Sequence, residues 1–284
     1  MSDQRKRLSS RTPQGGLAPH PRIANVIAVG SGKGGVGKST TTVNLALALQ
    51  QQGVRVGILD ADIYGPSIPT MLGLSGRPES TPEKKIVPMR ALGVDTMSIG
   101  FLVEDDSPMI WRGPMATQAL TQFFNDTLWD DLDVLLIDLP PGTGDIQLTL
   151  SQKIPVSAAV VVTTPQEVAT MDARKAVAMF EKVHIPVLGL VENMAVHVCS
   201  HCGHAEHIFG SGGGEAMAQR YNVPLLGSLP LDVAIREQAD AGTPIVASDA
   251  AHAASQAFAQ LAVRVMDELA KRPRAPISLA TQVL

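Results

Sequence analysis

A glycine-rich segment with two lysines, GKGGVGKST, carries residue types that bind phosphate. Its glycines allow successive backbone N–H groups to turn toward one anion, and the helix that follows offers unpaired N–H donors and a partial positive charge. Lys38 would reach the β- and γ-phosphates of a nucleotide, and the Ser39 hydroxyl would bind the bridging Mg²⁺. The segment fits the pattern GxxxxGK(S/T), which predicts a nucleotide site. Its predicted contacts are Gly32, Lys33, Gly34, Gly35, Val36, Gly37, Lys38, Ser39 and Thr40.

The elements on either side of this segment are those that a phosphate loop needs. Residues 23–29 (IANVIAV) form an apolar run typical of a buried strand, and residues 41–52 (TTVNLALALQQQ) have the pattern of a helix. Spacing, lysine, hydroxyl and flanks agree, so a glycine-rich turn without a ligand is the weaker interpretation. Lys33 is not required for the phosphate cradle, and a solvated surface charge is the alternative for it.

Two carboxylates, Asp60 and Asp62, follow the apolar run at residues 54–59. Beside a triphosphate, such a pair is electrostatically costly unless a metal ion or a water molecule lies between the carboxylates. We therefore predict that Asp60 supports the magnesium shell and that Asp62 positions the attacking water. The alternative is a helix N-cap and one solvated carboxylate, because Pro66 begins a helix-like stretch.

Asp138 ends the apolar run LDVLLID at residues 132–138. An apolar strand that ends in aspartate is the second nucleotide motif, in which the carboxylate holds a magnesium-bound water. Many strands end in aspartate, so this motif gains its weight from the phosphate loop. Asn193 ends another apolar run, and its amide suits the edge of a purine base, although an ordinary turn asparagine fits the pattern nearly as well.

Both cysteines of the chain, Cys199 and Cys202, lie in one polar loop as C-x-x-C among several histidines. In a reducing cytoplasm this spacing indicates metal or redox chemistry rather than a structural disulfide. One chain supplies half of the thiolates that a four-cysteine cluster requires, and the twofold axis of a symmetric dimer would supply the same pair again. The alternatives are a zinc-binding P-loop ATPase, with two of the histidines as further ligands, and a redox dithiol.

The composition is that of an ordinary enzyme. The chain has 284 residues, of which 45% are hydrophobic and 4% aromatic, and its formal net charge is −4. The slight acidity argues against tight nucleic-acid binding, which depends on clustered Lys and Arg. No apolar run approaches the roughly 18 residues of a membrane helix, and two cysteines cannot form a disulfide framework. We expect a cytoplasmic protein that binds neither nucleic acid nor membrane.

Strands and helices alternate along the chain after residues 1–22, an Arg- and Ser-rich tail that is predicted to be disordered. The tail lacks the apolar face of a mitochondrial targeting peptide. Residues 23–284 are predicted to form a single P-loop ATPase domain of α/β class, with a doubly wound, mostly parallel sheet whose carboxyl edge collects ligands. The predicted strands lie near residues 54–59, 93–99, 132–138, 156–163, 186–192 and 223–229, and the predicted helices near 114–126, 145–152, 166–182, 211–221 and 250–271.

Several segments together resemble the bacterial Mrp/ApbC family of iron–sulfur cluster carrier ATPases: GILDADIYGPSIPTMLG, MIWRGPMA, DLPPGTGDIQLTL, VVTTPQEVA, GLVENM and CSHCGHAEHIFG. Within this resemblance, GKGGVGKST is similar to the deviant Walker A motif of the partitioning-ATPase, septum-site and nitrogenase iron-protein superfamily. The resemblance implies that this loop binds ATP, that Lys33 crosses a dimer interface to the partner's phosphates, and that Asn193 reads adenine. It also implies that Cys199 and Cys202 hold a [4Fe–4S] cluster between two subunits for delivery to apoproteins.

The segment before the phosphate loop departs from the family pattern. Many members carry a small N-terminal domain there, where this sequence has the tail of residues 1–22. We expect an ATP-hydrolysing carrier that works as a homodimer. One alternative, a partitioning or positioning ATPase, would bind DNA or membrane through a basic surface or a basic amphipathic helix, and residues 263–284 do not show that pattern. The other, a reductase like the nitrogenase iron protein, would take its cluster cysteines from separate segments.

Overall fold

The computed structural model of the protein describes residues 19–102 and 113–273. Most of the tail at residues 1–22 lies outside these ranges, and so does the end of the predicted domain, residues 274–284. The first half of the MIWRGPMA segment, residues 109–112, also lies outside them. The disorder of the tail and the extent of the single domain therefore stay predictions.

Nine strands form one mixed sheet within these ranges, in the order β3-β4-β2-β5-β1-β6-β7-β8, with β9 also paired to β7. All pairs are parallel except β3 with β4 and β7 with β8. The strands are β1 (Ile23–Ser31), β2 (Val56–Asp60), β3 (Met89–Ala91), β4 (Val94–Ser98), β5 (Leu132–Asp138), β6 (Ala158–Thr163), β7 (Val187–Val198), β8 (Ala205–Glu206) and β9 (Leu225–Pro230).

Helices cover both faces of this sheet. They are α1 (Lys38–Gln51), α2 (Ile68–Met71), α3 (Gly113–Asp126), α4 (Asp145–Lys153), α5 (Glu167–Lys182), α6 (Gly213–Tyr221), α7 (Val233–Asp240), α8 (Ile245–Ser248) and α9 (Ala253–Ala270), with a 3-10 turn at Ile99–Leu102 after β4. None of the helices in the described ranges has the length and apolar character needed to cross a membrane.

Alternation of side chains along the central strands explains the two helical layers. In β1, Ile27 and Val29 pack into the apolar cluster that α1 and α9 cover, whereas Val26 and Ala28 pack into the cluster that α3 to α6 cover. A strand buried on both faces must be apolar at nearly every position, which is the pattern of β1, β5 and β6. The predicted fold class, a mostly parallel doubly wound α/β sheet, is confirmed.

The parallel strands bring the chemically active residues to one edge. In register, Asp60 at the end of β2 lies opposite Asp138 at the end of β5, and Val29 of β1 lies opposite Asp138 on its other side. The loop after β1 therefore begins beside both carboxylates. The longest strand, β7, extends past this edge to Val198 and differs from its predicted end at residue 192.

Candidate nucleotide site and cysteine hairpin

The four glycines of the loop between β1 and α1 differ in what their positions require. Gly35 and Gly37 both have a φ of 78°, in the left-handed region that favours glycine. A Cβ on Gly32 would lie 2.0 Å from the backbone carbonyl carbon of Asp172 in α5, so the loop and that helix are in direct contact. Gly34 has free space instead, because its nearest neighbour would be the Pro141 side chain at 3.9 Å.

The start of α1 is built to face an anion. Gly37 occupies the capping position and provides no side-chain acceptor for the first N–H groups of the helix. A cavity of about 190 Å³ lies over the loop and is lined by residues 33–40 together with Asp62, Ser67, Met71 and Pro141. Free N–H groups and the helix dipole together favour phosphate in this cavity.

Asp138 is the centre of the hydrogen-bond network below the loop. Its buried carboxylate lies 2.8 Å from the Lys38 ammonium, measured from Nζ to Oδ2. The Ser39 hydroxyl donates to the same oxygen at 2.6 Å, and the Thr42 hydroxyl donates to Oδ1 at 2.7 Å. Thr42 is absent from the predicted contacts, although its place on the first turn of α1, four residues after Lys38, is the signal that could have identified it.

Asp60 holds the loop that carries Asp62. Its carboxylate accepts hydrogen bonds from the Ser98 hydroxyl at 2.9 Å, from the Asp62 N–H at 3.1 Å and from the N–H of Ile68, the first residue of α2, at 3.4 Å. Burial, and next the charge of Asp138, raise the pKa of Asp60 to about 7. One oxygen of Asp60 thus reaches the N-terminus of α2, whose capping position is Ser67, and the magnesium role of Asp60 stays a prediction.

Asp62 faces the phosphate loop across the cavity. One of its oxygens, Oδ2, is 3.6 Å from the Lys38 ammonium, and the other accepts the N–H of Tyr64 at 3.2 Å. The structure thus brings together Asp62 after β2, Asp138 at the end of β5 and Lys38 at the start of α1. The role of Asp62 in orienting the attacking water remains a prediction.

The two lysines of the loop differ in their surroundings. Lys38 is almost completely buried against Asp138. Lys33 is partly exposed, and no described residue forms an ion pair or a hydrogen bond with its ammonium, whereas its carbonyl accepts the Ser31 hydroxyl at 2.9 Å. The surroundings of Lys33 are compatible with both hypotheses for it, a solvated charge and a cation that reaches another subunit.

Asn193 contacts the phosphate loop from β7. Its buried side-chain amide donates to the backbone carbonyl of Val36 at 2.9 Å. A Cβ on Gly37 would lie 2.2 Å from the same amide nitrogen, so loop and strand touch without intervening atoms. The structure therefore assigns the amide nitrogen to the protein itself, a contact that the sequence did not reveal. Recognition of adenine by Asn193 stays a prediction, for which the side-chain oxygen and the second N–H of the amide would be the contacts.

Cys199 and Cys202 lie in the tight turn of a β-hairpin formed by the end of β7 and by β8. His197 pairs with Glu206 and Val198 with Ala205, and the N–H of Cys199 donates to the carbonyl of His204 at 2.9 Å. Both cysteines are free, Cys199 partly exposed and Cys202 exposed. The loop predicted from polarity is therefore an ordered turn that presents both thiols to solvent.

Backbone N–H groups in this turn favour the thiolate form of Cys199. The N–H of His201 and then that of Cys202 hydrogen-bond the Cys199 sulfur and lower the pKa of its thiol, and the Cys202 side chain contributes further. A thiolate is the form that binds metal and the form that attacks electrophiles. The turn is therefore suited to soft metal ions and clusters as well as to thiol chemistry.

Two histidines beside the cysteines have their rings held by backbone carbonyls. His197 and His207 use Nδ1 to contact the carbonyls of Leu231 at 3.0 Å and Ala195 at 2.7 Å. No group of three or more His, Cys, Asp and Glu side chains in residues 19–102 and 113–273 is arranged to hold a metal ion. The described chain thus offers two thiols, without the four ligands of a tetrahedral zinc site.

Known proteins share this combination of phosphate loop and sheet. Residues 22–266 match the family described as ParA: NUBPL iron-transfer P-loop NTPase. The chain belongs to this family. The P-loop NTPase assignment and the predicted resemblance to iron–sulfur cluster carrier ATPases are thereby confirmed, and nucleotide hydrolysis is the general activity of the class.

Individual relatives of this NUBPL-type NTPase are close in sequence and structure. The iron-sulfur cluster carrier protein of Haemophilus influenzae is 62% identical over 248 residues, which cover 87% of this chain and 67% of the relative. The iron-sulfur cluster transfer protein NUBPL of Mus musculus is 48% identical over 257 residues, covering 90% of this chain and 81% of the relative. A nucleotide-binding protein of Archaeoglobus fulgidus in complex with ADP has a TM-score of 0.69 and 41% identity, covering 78% of this chain and 87% of that one.

Proposed function

We propose that the protein is an ATP-hydrolysing iron–sulfur cluster carrier that holds a [4Fe–4S] cluster between two copies of the chain and delivers it to apoproteins. The observation that carries the proposal is the pair of free cysteines, Cys199 and Cys202, at the tip of a hairpin on the same sheet edge as the phosphate loop. The iron-transfer description of the family and the names of its close relatives support it.

In this proposal the cluster is the group that is transferred, and the cysteine hairpin binds it. Thiolates ligate iron, and the N–H groups of His201 and Cys202 favour the thiolate of Cys199. Two thiolates per chain satisfy half of a four-cysteine cluster, and a twofold axis through the cluster supplies the rest. Exposure of both sulfur atoms allows a second copy and, later, an acceptor protein to approach them.

The nucleotide site would perform phosphoryl transfer to water. Lys38 would move its ammonium from Asp138 to the β- and γ-phosphates, and the N–H groups at the start of α1 would bind the same anion. Ser39 and Asp138 would hold Mg²⁺, since a hydroxyl and a carboxylate in contact at 2.6 Å are the hard oxygen ligands that this ion prefers. The ion would neutralise charge on the phosphates, while Asp62 orients the attacking water.

A homodimer would complete both sites. Large apolar side chains are exposed near the carboxyl edge of the sheet, among them Tyr64 after β2, Val168 and Met171 at the start of α5, and Val198 in the hairpin. Burial of such side chains against a second copy is favourable. Lys33, whose ammonium has no partner among the described residues, would reach the phosphates of the partner subunit across this face.

The alternative of a membrane-positioning ATPase requires a basic amphipathic helix that is free to bind lipid. The long helix near the end of the described chain, α9, instead packs Phe258, Leu261 and Val265 into the core over α1. The apolar face of α9 is therefore buried in the core and not free to bind lipid. We favour the carrier, acting in the reducing cytoplasm, where cysteine thiols persist.

Transfer of a cluster tests the proposal. The protein is reconstituted anaerobically with iron and sulfide, separated from free reagents and mixed with an apo-enzyme whose activity requires a [4Fe–4S] cluster. We expect the wild type to restore that activity and Cys199→Ser to fail. Ser200→Ala is the matched control, because Ser200 is an exposed residue of the same turn. Equal restoration by Cys199→Ser and the wild type would refute the carrier function.

A further inference from the structure

One strand, β7, contacts the phosphate loop and then ends in the cysteine hairpin. Asn193 touches the loop, and Cys199, six positions later, is the first residue after β7 ends at Val198. We infer that Asn193 is a positioning residue that transmits nucleotide occupancy of the phosphate loop to the orientation of the hairpin. The functional meaning of a change in hairpin orientation rests on the proposed function. The link between Asn193 and the hairpin depends only on contacts within one chain.

Asn193 is hydrogen-bonded to the phosphate loop and closely packed against it. The amide nitrogen is 2.9 Å from the Val36 carbonyl, and the Gly37 backbone passes so closely that a single added carbon would lie 2.2 Å from it. Asn193 is buried, so water cannot readily replace the Val36 carbonyl as its partner. A phosphate that draws the backbone of residues 36–37 toward itself must therefore either move Asn193 or break this hydrogen bond.

The strand below Asn193 is firmly held. Glu192 pairs with Thr163 of β6, and its carboxylate accepts the N–H of Gly214 in α6 at 2.7 Å. This hydrogen bond joins β7, which leads into the hairpin, to the start of α6, which follows the hairpin. A carboxylate at a helix N-terminus is favourable, so the contact of Glu192 with α6 stabilises both ends of the chain segment that contains the hairpin.

The backbone immediately after Glu192 is irregular. Pairing with β6 ends at Glu192, and the register between β7 and β9 shifts between Glu192 and Val196. Met194 has a φ of 57°, in the left-handed region that a residue with a long side chain rarely adopts. Such conformations persist where the surrounding contacts impose them, and they mark places where a chain can change its direction.

The part of the hairpin beyond this irregularity is tied together. The Ala195 carbonyl contacts His207 Nδ1 at 2.7 Å, which fixes the exit of the hairpin to its entry. The Val196 carbonyl accepts the N–H of Leu231 at 2.8 Å, and the Leu231 carbonyl contacts His197 Nδ1 at 3.0 Å. Residues 193–194 thus lie between Glu192, which is paired to β6 and β9, and the hairpin entry, where Leu231 after β9 bonds Val196 and His197. A shift of Asn193 therefore reaches the hairpin through its bonded entry.

Amide hydrogen exchange in the cluster-free protein tests this link. Peptides covering residues 195–206 are followed with and without Mg-ADP at a concentration that saturates each variant. We expect ADP to change the exchange rate of this segment by about fivefold or more in the wild type, a typical size for coupling between two sites. Asn193→Ala should remove this response. Asn25→Ala is the matched control, because Asn25 is a buried asparagine whose amide donates to a backbone carbonyl in another part of the sheet, that of Asp133 at 3.1 Å.

Two results would overturn the inference: a wild-type hairpin whose exchange does not respond to ADP, and an ADP-saturated Asn193→Ala protein that responds as the wild type does. Asn193→Asp, which keeps the shape and loses the donor, replaces the alanine variant if that protein does not fold, and the wild-type comparison needs no variant. Sedimentation establishes that all samples have the same oligomeric state. Since no cluster is present, failure of the carrier function would leave this outcome unchanged.

Discussion

Lys38 and Asp138 form a buried ion pair, with 2.8 Å between Nζ and Oδ2. The two residues are 100 positions apart in the chain and meet because β1 and β5 are parallel neighbours. The cation expected to bind phosphate is thus paired with the carboxylate expected to hold magnesium. The phosphate loop and the second nucleotide motif are therefore one unit in structure as well as in function.

Replacement of Lys38 should affect nucleotide binding and stability together. In Lys38→Ala, ATP binding and hydrolysis should be lost because the phosphates lose their cation. The fold should survive but lose about 3 kcal/mol in the free energy of unfolding, since a buried carboxylate is left without its partner. Adding Asp138→Asn to this variant should recover part of the stability without restoring hydrolysis. Calorimetric ADP titration and urea unfolding measure both effects, and undiminished hydrolysis in Lys38→Ala would show that the loop has another role.

Lys33 should behave differently, because its ammonium has no partner among the described residues. Lys33→Ala should retain stability and nucleotide affinity near those of the wild type, but lose hydrolysis if the ammonium acts on the partner's phosphates. Mixing it with Lys38→Ala should restore some hydrolysis, because one subunit of a mixed dimer then keeps its own Lys38 and receives Lys33 from the other. Failure of all mixing ratios to recover activity would count against a crossing lysine.

Alanine substitutions at Gly32 and Gly34 should distinguish a glycine required for packing of the fold from one that contacts the nucleotide. In Gly32→Ala the new methyl group would collide with the backbone of α5, at 2.0 Å from an Asp172 atom, and we expect a loss of about 3 kcal/mol or more. In Gly34→Ala the nearest atom is 3.9 Å away, and stability should stay within about 0.5 kcal/mol. A weaker affinity for ADP in Gly34→Ala would then report contact with the nucleotide. Equal unfolding free energies for the two variants would contradict the described packing.

The raised pKa of Asp60 should make stability depend on pH. The pKa is about 7 in the folded protein, against an ordinary value of 3.8, because of burial and then the charge of Asp138. Between these values the folded state binds a proton that the unfolded chain has released, so the free energy of unfolding should fall as pH rises through this window. Asp60→Asn should show a smaller decline in urea unfolding of nucleotide-free protein with EDTA. Identical pH slopes for the two proteins would contradict this assignment.

The sequence is sufficient to predict the central strands of the sheet because apolar runs and glycine spacing are local signals. The phosphate loop, Asp60, Asp62 and Asp138 all follow such runs, and parallel pairing brings them to one edge. The hairpin is harder to predict, since β8 has only two residues and cannot show any periodicity. The predicted end of β7 at residue 192 is wrong for this reason, as the strand continues to pair with β8 up to Val198.

The sequence does not predict contacts between residues that are far apart in the chain. Asn193 and Val36 are 157 positions apart, and their hydrogen bond depends on how closely β7 passes the loop. The bond from Ser98 to Asp60 likewise depends on the pairing of β4 with β2. Such pairs carry no motif, because serine and asparagine at strand ends serve many purposes. The contacts that support the site were therefore found only in the structure.

Iron and sulfide analysis of the anaerobically reconstituted protein, combined with its visible absorption, shows whether the two hairpins of a dimer share a cluster. We expect about four iron atoms per dimer with broad visible absorption, and loss of the cluster in Cys199→Ser and in Cys202→Ser. His201→Ala and His204→Ala, in the same turn, should retain it. A colourless protein that binds zinc instead, or a full cluster in either cysteine variant, would refute a cluster bound by these two cysteines.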